Sequence, residues 1–266
     1  MTPLAYNRHV APEFTPGSVD YERQAGSFSR GRALSDDATA AWQSVAERWL
    51  APLDPAHVLD LGSGTGRFSP LLAEWLGCAV TGVEPSAGMR ATALRESAHP
   101  SVEYLAGDAA MIPLADGACD AAWMMHVVHH VPDRPACARE LSRVLRPGSR
   151  ALVIGAYTVA RREIPLFRYF TEALRIMDEF PLSWQIIADF EAAGLRHEDT
   201  VAVSYVTAPD LRAAAERTRL RADTTLQLIS DEEFARGQAR LDAAAEAETD
   251  PQPVVTEVDL IVFRRD

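Results

Sequence analysis

The sequence contains no lysine, so all 26 of its basic side chains are arginine. That absence excludes the chemistries that need a primary amine, among them a phosphate-loop lysine, a Schiff base and a pyridoxal lysine. Positive charge is scarce as a whole: 38 acidic against 26 basic side chains leave a formal charge of −12. Non-specific affinity for nucleic acid comes from basic side chains neutralising phosphates, so this balance argues against a nucleic-acid partner. Cysteine is sparse too. Cys78, Cys119 and Cys137 are odd in number and lack the spacing of a zinc site, which suits reduced thiols. No stretch approaches the roughly 18 uncharged apolar residues of a membrane span. Met1–Thr15 carries prolines, an arginine and a glutamate instead of the apolar run of a secretory signal. The expectation is a cytoplasmic protein, monomeric or homodimeric, without membrane contact. The sequence shows no internal repeat or extended low-complexity segment.

With 266 residues the chain is long enough for one α/β domain with insertions. Its organising stretch is Val58-Leu59-Asp60-Leu61-Gly62-Ser63-Gly64-Thr65-Gly66-Arg67-Phe68. An apolar run bounded by turn residues reads as a central parallel strand, because helices cover both faces of such a sheet. Glycine at alternate positions lets the backbone turn sharply and approach a ligand, and the following helix offers free N–H groups. The spacing is G-x-G-x-G and not the dinucleotide G-x-G-x-x-G. Asp60, two residues ahead of the first glycine, suits a cationic ligand group.

This pattern resembles the first motif of class I S-adenosylmethionine-dependent methyltransferases, and the resemblance continues through the next three strands. Cys78–Val83 reads as a second strand ending in Glu84, then Pro85, Ser86 and Gly88-Met89. Val102–Leu105 reads as a third, running into Gly107-Asp108-Ala109, and Cys119–Val128 as a fourth, running into His129-His130-Val131-Pro132-Asp133. Glu140–Gly148 and an apolar strand Ala151–Ile154 complete a likeness to the small-molecule methyltransferases related to ubiquinone and menaquinone synthesis, over roughly half the chain. The resemblance implies a doubly wound, seven-stranded, mostly parallel Rossmann-like sheet with an antiparallel last strand. It also implies S-adenosyl-L-methionine as cofactor, with S-adenosyl-L-homocysteine as product. Asp60, Gly62, Ser63, Gly64, Thr65 and Gly66 would hold the methionine portion and Glu84 with Pro85 the ribose. Asp108, the Ala109 N–H and Met89 would meet the adenine, with Met125 and His130 bordering the same site.

Around this centre the chain reads in order as follows. Residues 1–34 form an arm and cofactor cap, in which Tyr21, Phe28 and Arg32 match a segment that folds over the cofactor in this family. Residues 35–266 form the methyltransferase domain. Ser35 caps a helix whose apolar face is Trp42, Val45, Ala46, Trp49 and Leu50. Phe68, Leu71, Leu72, Trp75 and Leu76 recur at helical spacing up to a terminating Gly77. Asp133 and Pro135 open a helix to Leu145. An insertion at about 156–184 carries Phe167, Tyr169, Phe170, Met177, Phe180 and Trp184 among arginines. It is either an aromatic substrate pocket or one amphipathic helix packed on the core. Helices at Ser183–Ala193, Pro209–Arg221 and Ser230–Glu248 and strands near Thr200–Thr207 and Val254–Phe263 follow. The insertion at about 208–248 is a lid, a dimer contact or a solvated helix pair.

The histidines at 126, 129 and 130 follow the fourth strand, whose carboxyl end is where ligands sit in open α/β sheets. His126 and His129 are the candidate catalytic residues, as bases for a hydroxyl or phenol nucleophile. No carboxylate pairs with the His-x-x-His-His cluster, so no metal is expected. The asparagine-proline-proline-aromatic signature of amino-group methyltransferases is absent where the fourth strand ends. The expected reaction is therefore methyl transfer to an apolar or aromatic small molecule, first at oxygen, with carbon and nitrogen open. A binding-only protein on the same fold, a nicotinamide-dependent oxidoreductase and a nucleic-acid methyltransferase are the competing readings.

Overall fold

A computed structural model describes residues 31–158 and 162–266 of the chain. The readings made for Met1–Val19, Tyr21, Phe28 and Arg161 lie outside the described residues. The centre is a seven-stranded sheet in the order β3-β2-β1-β4-β5-β7-β6. Its strands are β1 His57–Leu61, β2 Ala79–Glu84, β3 Val102–Ala106, β4 Cys119–Met125, β5 Leu145–Gly155, β6 Leu195–Ala208 and β7 Val254–Arg265. The first five pair in parallel, while β7 lies antiparallel between β5 and β6. Strand order reverses at β1 and β4, which are hydrogen-bonded neighbours although two strands separate them in the chain. At such a switch point the connections leave toward opposite faces, and a crevice opens at the carboxyl ends.

Helices cover both faces of the sheet. On one side α1 (Asp36–Trp49) and α2 (Ser69–Leu76) bury Trp42, Ala46 and Leu72 against Val58, Val80 and Trp123. On the other, α4 (Arg134–Val144) and α7 (Ser183–Glu191) bury Leu141, Val144, Ile186 and Phe190 against Leu59, Met124 and Phe263. The remaining sheet-packed helix, α3, spans Ala87–Glu96. Local rules hold at the helix ends. Ser35 accepts a hydrogen bond from the Ala38 N–H, Asp133 accepts one from Ala136, and Gly77 closes α2 at φ 62°. The three cysteines are free and buried in this core.

Four boundaries differ from expectation. The fourth strand stops at Met125 because His126 takes φ 57°, a left-handed conformation that ends the ladder, and Val128–His130 form a single 3-10 turn. The fifth strand begins at Leu145, which pairs with Cys119 before the register shifts and Arg150 pairs with Ala121. The sixth starts at Leu195, directly after the left-handed Gly194. The segment after β5 is no single amphipathic helix: α5 (Leu166–Tyr169) and α6 (Leu174–Asp178) are separated by a 3-10 turn, broken where Phe170 leaves helical geometry and buries its ring. Trp184, counted among the aromatics of that pocket, lies on α7 and is 63% exposed.

The insertion between β6 and β7 contains α8 (Leu211–Thr218), α9 (Thr224–Gln227) and α10 (Asp231–Ala247). Ser230 and Glu233 form the anticipated capping box at the start of α10. These helices are not a solvated pair. Ala215, Leu226, Ile229 and Leu241 form a third apolar cluster with Phe167, Phe170, Met177 and Phe180, so the two insertions pack on each other. Among the described residues no helix is long and apolar enough to cross a membrane.

Candidate active site

The crevice at the β1/β4 switch point is a cavity of about 490 Å³. Its floor is the glycine turn, where Gly62 and Gly64 take φ 73° and 56°. A Cβ on Gly62 would lie 2.5 Å from Val127 Cγ2, so only glycine allows the turn to close against the segment after β4. Glu84 leaves the end of β2, buried, with its carboxylate accepting the Gly64 N–H at 3.0 Å and the Ser86 N–H at 2.9 Å. It therefore ties the glycine turn to the start of α3 while lining the cavity. Pro85, Met89, Asp108, Ala109, Met125 and His130 line the same wall. Asp108 makes a turn as well, its Oδ1 accepting the Ala110 N–H at 2.8 Å.

Asp60 is buried under the turn, and the Ser69 hydroxyl donates to its Oδ2 at 2.6 Å. Burial pushes its carboxyl up to about 6, partly countered by Ser69 and by the Arg67 guanidinium. Gly66 departs from the expected set: it is not on the cavity wall. A Cβ there would lie 2.3 Å from the Tyr104 hydroxyl, so its glycine serves close packing beneath the turn.

A second cavity, of about 190 Å³, lies beyond the first. Its walls are mainly apolar and come largely from the two insertions and β7, with Phe167, Met177, Phe180, Leu211, Leu226 and Val258 as examples, while Asp223 and Arg217 also line it. Arg32, His126 and Thr224 line both cavities, so the two meet where those side chains stand. The left-handed turn at His126 is what directs the chain there. His129 lines only the second cavity, with its ring stacked on Phe180 at 4.1 Å and its Nδ1 without a hydrogen-bond partner among the described residues. His130 lines only the first, and its Nε2 is 3.3 Å from the Thr224 hydroxyl. The three histidines thus have three different positions.

Charge at the junction is arranged by burial. Burial pushes His126 down to about 3, reinforced by the nearby Arg32 and Arg67 guanidiniums and partly opposed by Asp223. Burial, then Arg32, pushes His130 down to about 4, and burial with the neighbouring histidines holds His129 well below its ordinary value. All three rings are uncharged at neutral pH. Arg32 donates from Nε to the Ala222 carbonyl at 3.1 Å and pairs with Asp223 at 3.4 Å. Burial raises the Asp223 carboxyl, but Arg32 and two hydrogen bonds from Thr225 more than offset it and hold it below the usual range. Among the described residues no group of three or more histidines, cysteines or carboxylates could hold a metal ion.

Sequence reasoning missed Arg67, Arg217, Asp223 and Thr224. Arg67 stands inside the glycine motif but carries no motif role, and the other three lie more than 150 residues beyond Asp60 in an insertion without a signature.

Residues 59–153 match the family model described as a methyltransferase domain. Over 136 residues the chain is 38% identical to a malonyl-[acyl-carrier protein] O-methyltransferase of Serratia marcescens, covering 49% of this chain and 51% of the relative. It is 34% identical over 139 residues to a 2-phytyl-1,4-naphtoquinone methyltransferase of Synechococcus elongatus, covering 49% and 58%. A longer alignment, 29% identical over 226 residues, covers 79% of this chain and 82% of a 27-O-demethylrifamycin SV methyltransferase of Amycolatopsis mediterranei. The chain spans about half the length of the first two relatives. Among solved structures, a putative methyltransferase from an antibiotic biosynthesis pathway of Anabaena variabilis has TM-score 0.67 at 21% identity, covering 84% of this chain and 96% of that one. A [4+2]-cyclase has TM-score 0.60 at 21% identity, covering 88% and 83%. The stretch from β1 to β5 is therefore similar to a methyltransferase domain, and the chain shares the fold of those solved structures.

Proposed function

We propose that the chain transfers a methyl group from S-adenosylmethionine to an apolar or aromatic small molecule, first at oxygen. The observation that carries this reading is the meeting of two cavities at His126, one built on the glycine turn and one walled by aromatic and aliphatic side chains. S-adenosylmethionine supplies an electrophilic methyl on a sulfonium. Asp60 and the Gly62–Thr65 backbone suit the charged methionine end, Glu84 the ribose hydroxyls, and Asp108 with the Ala109 N–H the adenine.

The chain's remaining task is to align the nucleophile along the sulfur–methyl axis and keep water out. In the transfer the acceptor's lone pair forms the new bond to the methyl carbon, the carbon–sulfur bonding pair stays on sulfur, and the hydroxyl proton, strongly acidic once its oxygen carries the methyl, passes along its hydrogen bond to His126 and on to water. An uncharged His126 at the junction accepts a hydrogen bond from the acceptor hydroxyl and so points its lone pair inward. Its depressed basicity makes it an orienting acceptor rather than a base that deprotonates beforehand. His129, one cavity away and stacked on Phe180, is better placed to contact the acceptor's body.

Calorimetric titration with S-adenosylmethionine, S-adenosylhomocysteine and reduced nicotinamide dinucleotide tests the reading. Micromolar binding of the adenosyl compounds alone supports it. Turnover on a panel of hydroxylated aromatics and aliphatics then separates an enzyme from a binding-only protein. Nicotinamide binding alone would discard it.

A further inference from the structure

Arg217, on α8, lines the second cavity but not the first. It also lines a small space of about 20 Å³, shared with Arg32, Arg67, His126 and Tyr205, between the two cavities. Three guanidiniums thus converge on one half-buried place, and their counter-charges differ. Arg32 has Asp223. Arg67 faces the first cavity, donates to the Arg32 carbonyl and forms no ion pair with any described residue; burial, then Arg32, pushes it below its ordinary value. Arg217 donates from Nε to the Gly31 carbonyl at 2.8 Å and from Nη1 to the Thr207 carbonyl, and it forms no ion pair with any described residue. Carbonyl oxygens orient a guanidinium without neutralising it. Burial and the neighbouring Arg32 accordingly push Arg217 below its ordinary value.

A desolvated charge without a partner costs free energy, and such an arrangement is stable in use when a ligand brings the opposite charge. The walls beyond Arg217 are mainly aliphatic and aromatic, and Asp223 on the same cavity is held by Arg32, so an anion meeting Arg217 there does so with little water between them. We propose that Arg217 binds an anionic group of the methyl acceptor, a carboxylate in the first instance, while the acceptor's apolar remainder fills the second cavity. Arg32 is held by Asp223 and Arg67 faces the first cavity, which leaves Arg217 as the guanidinium presented to the second cavity without an acidic partner among the described residues. The inference rests on the methyl-transfer reading and narrows its substrate class. The competing source of a carboxylate is the cofactor's own amino-acid end; against it, Arg217 does not line the first cavity.

The test titrates octanoate and octanamide, equal in length and different in charge, into the full chain saturated with S-adenosylhomocysteine. Octanoate should bind about ten-fold or more tightly than octanamide, the scale of a charge-assisted hydrogen bond. Arg217→Gln should bring the two within about three-fold while leaving S-adenosylhomocysteine affinity within about two-fold of wild type. Arg217→Lys, which keeps the charge but loses the planar fork, should keep part of the preference. Equal binding of both probes to the wild type, no octanoate binding at millimolar concentration, or an intact preference in Arg217→Gln overturns the proposal. A loss of S-adenosylhomocysteine affinity in Arg217→Gln also overturns it, assigning the guanidinium to the cofactor's carboxylate. Should Arg217→Gln not fold, the wild-type ratio and Arg217→Lys carry the test. Failure of the wild type to bind S-adenosylhomocysteine refutes the methyl-transfer reading separately; the two probes titrated into the free protein still report on Arg217.

Discussion

Asp60 and Glu84 carry charge into the same cavity by opposite routes. Glu84 is held by two backbone N–H groups, whereas Asp60 is buried beside one hydroxyl, and its carboxyl rises to about 6. The sign follows from the ordinary value of 3.8. A folded-state value above the unfolded one means that the ionised form destabilises the free protein above pH 6, by roughly 3 kcal/mol at most, and that this cost is relieved as pH falls toward 4. Binding of a ligand ammonium has the opposite dependence, because it needs the carboxylate. Affinity for S-adenosylhomocysteine should therefore fall as pH drops from about 7 to 5, and Asp60→Asn should bind weakly at pH 7.5 with a flattened profile over that window. A wild-type affinity that is level across it would remove Asp60 from the site.

Glu84→Ala should weaken S-adenosylhomocysteine binding by about ten- to a hundred-fold, on the scale of hydrogen bonds to a charged group. It should also loosen the turn that Glu84 ties to α3. Calorimetry and a melting curve separate the two effects, and unchanged affinity would sink the ribose assignment. For His126, gain of charge requires pH near 3. With an acceptor that turns over, His126→Asn should lower kcat by about ten-fold or more without changing the shape of the pH–rate curve between pH 5 and 8. A wild-type inflection near 6.5 that disappears in the variant would show that His126 titrates as a base after all.

At the scale of elements, the second cavity depends on how α10 seats on the segment after β5. Gly237 is the contact: a Cβ there would lie 2.2 Å from Cδ1 of the fully buried Phe170. Helix propensity favours alanine over glycine by about 1 kcal/mol, and overpacking costs about 1–3 kcal/mol. The ring has no free space, so the clash wins, and Gly237→Ala should lower the melting temperature by a few degrees. A higher melting temperature would mean that α10 shifts freely and does not form a fixed wall. The boundary at β4 belongs to this scale too. Val127 and Val128 continue the apolar run of β4, and nothing local tells them apart from strand residues. The left-handed residue at His126 is needed because the chain must turn beside Gly62, a contact made across the sheet.

For the whole molecule, ligand binding should register as stability. A ligand at a hundred times its dissociation constant adds about 2.7 kcal/mol to the folded state. S-adenosylhomocysteine at that excess should raise the melting temperature by roughly 5 °C, while reduced nicotinamide dinucleotide should not. The same experiment repeated with octanoate asks whether both cavities belong to one cooperative unit. Arg32, Arg67 and Arg217 join α2, α8 and the start of the described chain through hydrogen bonds to backbone carbonyls, so a ligand at either cavity should stabilise the same transition.

What the sequence determined by itself is the half built from near neighbours. The strand, glycine turn and helix of residues 58–76 follow from burial, positive φ and capping, all settled within one or two turns of chain. The resemblance pointed to the acidic residues at 84 and 108, and both line the first cavity because parallel pairing brings the ends of their strands to one edge. The parallel order and the antiparallel last strand came with the family resemblance. Only the tertiary structure decided the other half. The second cavity joins residues of 126–129, 156–180 and 205–258, and loop closure over such separations leaves no periodicity to read. The separation of His126, His129 and His130 into three positions follows the left-handed turn at His126 and the 3-10 turn after it, neither of which is visible in the residue types. That Arg217 has no ion pair among the described residues was invisible for a third reason: a charge's surroundings exist only once the chain has folded.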